Sequence, residues 1–182
     1  MTCTPRSFHA RSVYNYIMTV INIIFVDKDD NVIGAGSQQE AYDKGIIHRV
    51  VRIFLFNSKG ELLLQKRADH MKTNPGMWAD SAAGHVDEGE TYLAAAQRET
   101  EEELGIQDVV LKEMKKTYVE ETDKYKRKRF TMLYSATYDG EVHPNPEEVS
   151  QVKWIMPEAL RTEIRARPSQ FSEGFRLAFT AL

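Results

Sequence analysis

At 182 residues the chain can bury one sizeable core, and its 24 basic against 27 acidic side chains, net −3, give no basic field for nucleic acid or membrane surfaces. Its one cysteine, Cys3, excludes an internal disulfide and points to a reducing, cytoplasmic setting. The apolar run over residues 17–26 is about half the length of a spanning helix, so no membrane segment is expected.

Residues 1–17 read as an unstructured tail, with Met18, directly before the first strand, a candidate true start. Residues 21–26 and 32–35 form a predicted hairpin around DKDDN, followed by a short helix over 38–43. Predicted strands over 48–56 and 61–67 are joined by the turn sequence Asn57-Ser58-Lys59-Gly60. A loop over 68–76 then leads to an apolar segment, 77–86. A helix spans 91–104. Paired strands follow at 109–119 and 129–137, with Asp139-Gly140 marking a turn, and a last strand lies at 152–155. Pro157 opens a helix at the position proline tolerates, and another runs over 173–181. The pattern predicts an α/β (α+β) domain over 18–182, with a mixed sheet between helices and 18–46 as an N-terminal extension.

Residues 84–106, GHVDEGETYLAAAQRETEEELGI, carry the chemistry. Ala, Leu, Gln, Arg and Glu favour the helix, and Gly105 ends it. Leu93, Ala96, Thr100 and Leu104 form a stripe suited to packing on a sheet. Glu99, Glu102 and Glu103 share another face, where they repel one another and lie toward the negative end of the helix dipole. Such a trio calls for a cation, and oxygen ligands without Cys or a helical His suit Mg2+ or Mn2+. Gly84 and Gly89 allow a tight loop before the helix, and Glu90 with Arg98 offers an ion pair that pins the loop to it.

The spacing of Gly84, Glu90, Arg98, Glu99, Glu102, Glu103 and Gly105 resembles the Nudix box. Seven such fixed positions match a random window about once in 10^8 to 10^9, so accident is set aside. Over roughly residues 47–160 the order of elements is similar to the Nudix fold, making 47–182 the catalytic core of a single domain. The resemblance implies a divalent-metal hydrolase of diphosphate linkages, with Arg98 and Glu90 as scaffold and Glu99, Glu102 and Glu103 as metal ligands. One of those glutamates, or one outside the box, would orient or deprotonate the attacking water; Glu147 and Glu148 are the outside candidates. Arg67 and Lys72, which bracket the loop facing the diphosphate in similar proteins, are candidate substrate contacts together with Gly84.

The segment from VDKDDN through LLLQKRA and PGMW resembles the isopentenyl diphosphate isomerase branch of the superfamily, including His48-Arg49 and Pro75-Gly76 before Trp78. Isomerases of that branch place an essential cysteine ahead of the Gly-His pair, where this chain has Ala82-Ala83 before Gly84-His85. They also use a further metal-binding histidine near the positions of Glu40-Ala41-Tyr42. Alanine cannot move a proton, so the residues favour hydrolysis over isomerisation. A non-catalytic diphosphate-binding module is a further alternative, disfavoured by the full set of carboxylates. No ADP-ribose, coenzyme A or dinucleoside polyphosphate mark is present. A nucleoside diphosphate or triphosphate, a nucleotide sugar or a small alkyl diphosphate therefore remains as the small-molecule partner of a monomer or homodimer. Lys124, Lys126, Arg127, Lys128 and Arg129 read as a solvated hairpin or a polyphosphate-attracting rim. Trp78, Tyr118 and Tyr125 read as core or strand surface, or as platforms for a base.

Overall fold

A computed structural model describes residues 22–120 and 127–180. The tail over 1–17, the start at Met18, and Lys124, Tyr125 and Lys126 lie outside the described residues. The long apolar run of β3 (Ile47–Phe56) makes it the hub of the sheet, because a strand covered on both faces needs apolar side chains on both. It runs parallel to β8 (Lys128–Thr137) from Ile47↔Lys128 to Phe56↔Thr137 and antiparallel to β6 (Ala82–His85). β7 (Lys112–Glu120) flanks β8. The other half is β4 (Leu62–Arg67), paired with β5 (Trp78–Ala79) and β9 (Val149–Ile155). The halves meet by strand pairing at Phe56↔Leu62, and the buried Ser81 hydroxyl bridges them, accepting from Leu55 N–H (2.8 Å) and donating to Leu63 C=O (2.7 Å).

One sheet face packs Val51, Ile53, Leu55, Leu63 and Tyr134 against Ala95, Ala96 and Leu104 of α2 (Tyr92–Leu104). The opposite face packs Phe54, Leu62, Leu64 and Leu133 against α3 (Pro157–Ala166) and α4 (Glu173–Phe179). Phe54 meets Phe175 edge-on at 6.0 Å, a favoured aromatic geometry. This is a mixed sheet between helices, as the sequence predicts. α2 itself starts one residue late, because Thr91 is its N-cap, accepting from Ala94 N–H at 3.1 Å. Gly105 closes it at φ 66°, in the left-handed region, and a Cβ there would press on His143.

Several elements depart from expectation. The segment 77–86 is two strands with different partners. The strand expected from 109 starts at Lys112, since Val109 is buried outside the strand beyond a left-handed Asp108 (φ 56°). β9 starts at Val149 rather than 152, opposite a bulge at Lys66/Arg67, and its Ser150 and Gln151 are exposed, which hides the strand from a hydrophobic pattern. Leu93 is 41% exposed, because the buried stripe of α2 runs through Ala95, Ala96, Glu99, Thr100, Glu103 and Leu104 instead.

The hairpin of β1 (Ile23–Val26) and β2 (Val32–Gly36), followed by α1 (Gln38–Lys44), is fastened to the loop before α2. Ile24 N–H bonds Val86 C=O at 2.9 Å and Glu88 N–H bonds Asn22 C=O at 2.8 Å. At the hairpin tip the Asp30 carboxylate accepts from Arg49 (2.7 Å), Lys116 (2.8 Å) and the Tyr92 hydroxyl (3.0 Å). Burial opposes its charge, but these bonds outweigh burial and hold its carboxyl below the usual range. Asp30→Ala leaves two cations and a phenol without their common acceptor. It is expected to cost about 2–3 kcal/mol, a fall in Tm of roughly 5–10 °C, read by thermal denaturation.

Candidate active site

The loop between β6 and α2 is tied to the helix by one arginine. Arg98 donates to both Glu90 oxygens (2.8 and 2.9 Å) and to His85 C=O (2.9 Å), while Glu90 also accepts the Asp87 N–H at 3.0 Å. The Arg98 bonds, against some burial, hold the Glu90 carboxyl below its ordinary range. A second arm of the same guanidinium reaches Glu99 (2.7 Å) and Glu102 (3.0 Å).

The three box glutamates do not share one environment. Glu102 is half exposed. Glu99 and Glu103, one turn apart, face the sheet and are 9% and 1% exposed. Gly84 makes room for the first: a Cβ there would land on the Glu99 carboxylate. Glu103 accepts from Ala83 N–H (2.9 Å) and the Gln65 amide (2.8 Å). Burial pushes the Glu99 carboxyl up to about 7 against the opposing charge of Arg98, with Glu102 and Glu148 adding to the rise. Burial, then the charge of Glu99, pushes Glu103 well above the usual range; the Ala83 N–H opposes this and Glu148 adds to it.

Glu148, whose charge acts on both Glu99 and Glu103, lies on a loop stitched to the end of α2. His143 N–H bonds Leu104 C=O at 2.8 Å, Asn145 N–H bonds Glu103 C=O at 3.0 Å, and Glu148 C=O accepts from Ala68 N–H at 2.8 Å. Glu148 is half-buried, whereas Glu147 is exposed, its N–H turned to the Asn145 side chain at 3.1 Å. Arg67 spends its fork on its own loop, donating to Thr73 C=O (2.9 Å) and hydroxyl (3.4 Å), and Lys72 is exposed on that loop. Gln65 is missing from the candidates drawn from sequence. Its signal was a lone amide in the apolar run of β4, and its buried Oε1 has no hydrogen-bond partner among the described residues.

Across β6, on the other sheet face, His48 and His85 lie 5.3 Å apart between ring centres, and the Tyr42 hydroxyl is 3.4 Å from His85 Nε2. Burial, then the charges of His48 and Arg129, pull the His85 imidazole down to about 3. Arg129 itself is 6% exposed, which corrects the expectation of a solvated hairpin or rim: alternation along β8 turns it inward with Thr131 and Leu133. Tyr118 stands half free on β7, and Trp78 packs at the edge of the second core with the Lys153 ammonium 4.5 Å above its ring.

The NUDIX domain family matches residues 46–175. The chain belongs to the Nudix family. A Nudix hydrolase of Pseudomonas aeruginosa, PA4841, is 37% identical over 80% of this chain and 85% of its own. An isopentenyl-diphosphate Delta-isomerase of Serratia proteamaculans is 35% identical over 84% of this chain and 86% of its own. Among solved structures, DR0079 of Deinococcus radiodurans superposes with a TM-score of 0.68 at 27% identity, over 80% of this chain and 89% of its own. Family and relatives together make this Nudix chain a hydrolase. No helix among its described residues is long and apolar enough to cross a membrane.

Proposed function

We propose that this Nudix hydrolase cleaves the diphosphate linkage of a nucleoside diphosphate derivative or similar small diphosphate, by attack of water at phosphorus, with Mg2+ or Mn2+ as cofactor. The burial of Glu99 and Glu103 side by side, with Glu148 close by, carries this reading, because their summed charge exceeds what one guanidinium, one amide and one backbone N–H offset.

The residues present fit a divalent cation. The donors are all oxygen, and the unpartnered Gln65 Oε1 lies beside Glu103. Among the described residues no three carboxylates or imidazoles converge as they stand, since Arg98 holds Glu99 and Glu102. Glu99, Glu102 and Glu103 would hold the ion once Arg98 yields to it, and a bound ion supplies charge neutralisation at the diphosphate and a more acidic water. The chain's own part is positional. Arg98 and Glu90 fix the loop, Gly84 admits Glu99, and Ala83 with Gln65 orients Glu103. Glu148, on a loop separate from α2, would accept a proton from the attacking water.

The isomerase reading lacks its thiol: Ala83 stands at the cysteine position, and Arg129, beside the histidines, disfavours a cation there. Wild-type protein incubated with Mg2+ and a panel of nucleoside diphosphates, triphosphates, nucleotide sugars and isopentenyl diphosphate should release phosphate or a monophosphate from at least one compound. Dimethylallyl diphosphate formed without cleavage would restore the isomerase, and an unchanged panel that still binds would favour the binding module.

A further inference from the structure

α3 and α4 are seated on the sheet by Leu160, Phe175 and Phe179, all buried in the second core. Their adjoining stripes face each other across a cavity of about 510 Å3, the size of a small-molecule site. Arg161, Ile164 and Arg165, at three- and four-residue steps, line it from α3, and Arg176, Leu177 and Phe179 line it from α4. Leu177 is 51% exposed there. The charges of this cavity are one-sided, three arginines against the single carboxylate of Glu173. Arg161 lies over the Phe179 ring at 5.3 Å and pairs with Glu158 at 3.0 Å. Arg165 gives its Nε–H to Arg161 C=O at 3.3 Å, and neither Arg165 nor Arg176 has an ion-pair partner among the described residues. Arg176 decides the reading: it is half-buried, and its Nε is closed off from solvent without an acceptor among those residues. A guanidinium so placed has lost water at one donor and gained no anion, so an oxyanion at its open end would compensate the charge.

We propose that this cavity binds a small amphiphilic anion, its phosphate or carboxylate group held by Arg176 and Arg165 and its apolar body laid along Ile164, Leu177 and Phe179. Guanidinium forks match either oxyanion bidentately. Covering Leu177 adds apolar burial that an inorganic anion does not supply. The ligand is a free molecule rather than a lipid in a bilayer, because Phe179 and Arg176 are recessed in a concavity that a flat headgroup layer does not enter. The box glutamates lie under α2 on the opposite sheet face, so this site stands or falls independently of the hydrolase reading.

Octyl phosphate and octanoate, kept below the concentrations at which they form micelles, are titrated by calorimetry into wild type, Arg176→Met, Leu177→Asp and Glu103→Gln, with Tm as a check on folding. At least one of them should bind wild type with one equivalent, and at least about tenfold more tightly than inorganic phosphate, octan-1-ol or octylammonium. Arg176→Met keeps an apolar stem and removes the charge, and Leu177→Asp puts a carboxylate on the apolar wall at an exposed position. Each should weaken binding about tenfold or more, while Glu103→Gln binds as wild type does. Should Arg176→Met fail to fold, Arg165→Glu, at an exposed position, takes its place with the same expected loss. Binding kept in the folded cavity variants, binding lost in Glu103→Gln, octylammonium or octan-1-ol bound as tightly as the anions, or no binding at all overturns the assignment. Protein that ignores both probes but sediments with vesicles of phosphatidylcholine and phosphatidylglycerol would make this face a membrane contact, and overturns the free ligand.

Discussion

Glu103→Gln is expected to lower kcat by about 10^3-fold or more, some 4 kcal/mol of transition-state stabilisation, while raising the Tm of the metal-free protein near pH 8. Both effects have one origin. Glu103 is buried beside Glu99 and meets only an amide and one N–H, so in the absence of a cation its charge destabilises the fold. Glutamine keeps the shape and one acceptor oxygen but removes the charge that would hold the ion. The sign with pH follows. Glu99 and Glu103 have folded-state pKa values above the ordinary 4.5, that of Glu99 at about 7, so the folded state binds more protons than the unfolded one over that interval. Metal-free stability is therefore highest below about pH 4.5 as far as these groups decide it, and falls as pH rises through about 7. Excess Mg2+ should raise Tm far more at about pH 8 than at about pH 5, and this increment should shrink in Glu103→Gln. Thermal denaturation in chelator and in Mg2+ reads all of this; a metal increment equal at both pH values, or equal in the variant, contradicts it.

Gly84→Ala should cost about 10^2-fold or more in kcat/KM with only a small change in Tm. The added methyl occupies the place of the Glu99 carboxylate, which is the far end of a flexible side chain and can swing away at little cost to the core. The expelled group is the one whose position the proposed chemistry needs. If Gly84 acts through Glu99, then Gly84→Ala combined with Glu99→Gln is little worse than Glu99→Gln alone. Losses that multiply would mean that Gly84 acts by another route.

Legibility differed from residue to residue for physical reasons. α2, its end at Gly105 and the Arg98–Glu90 tie can be read from spacing, because helix periodicity and an ion pair eight residues apart are local facts. The depth of Glu103 cannot: three glutamates on one helix look alike until the sheet beneath is placed, and the helix turns two of them inward over Gly84 and Ala83. The parallel pairing of β3 with β8 joins distant segments and leaves no local trace, which is why Arg129 passed for part of a solvated run. Gln65 and Arg52 were visible as polar residues in apolar strands, but their partners Glu103 and Asp80 came only with the fold.

The most direct test of the central claim is to run the Mg2+-dependent reaction of wild type and Glu103→Gln in water enriched in oxygen-18 and to weigh the products. Metal-dependent hydrolysis at phosphorus through these carboxylates predicts one labelled oxygen on a phosphoryl product from wild type and almost none formed by Glu103→Gln. Turnover without label in any phosphoryl product, or label appearing equally fast in Glu103→Gln, would contradict it.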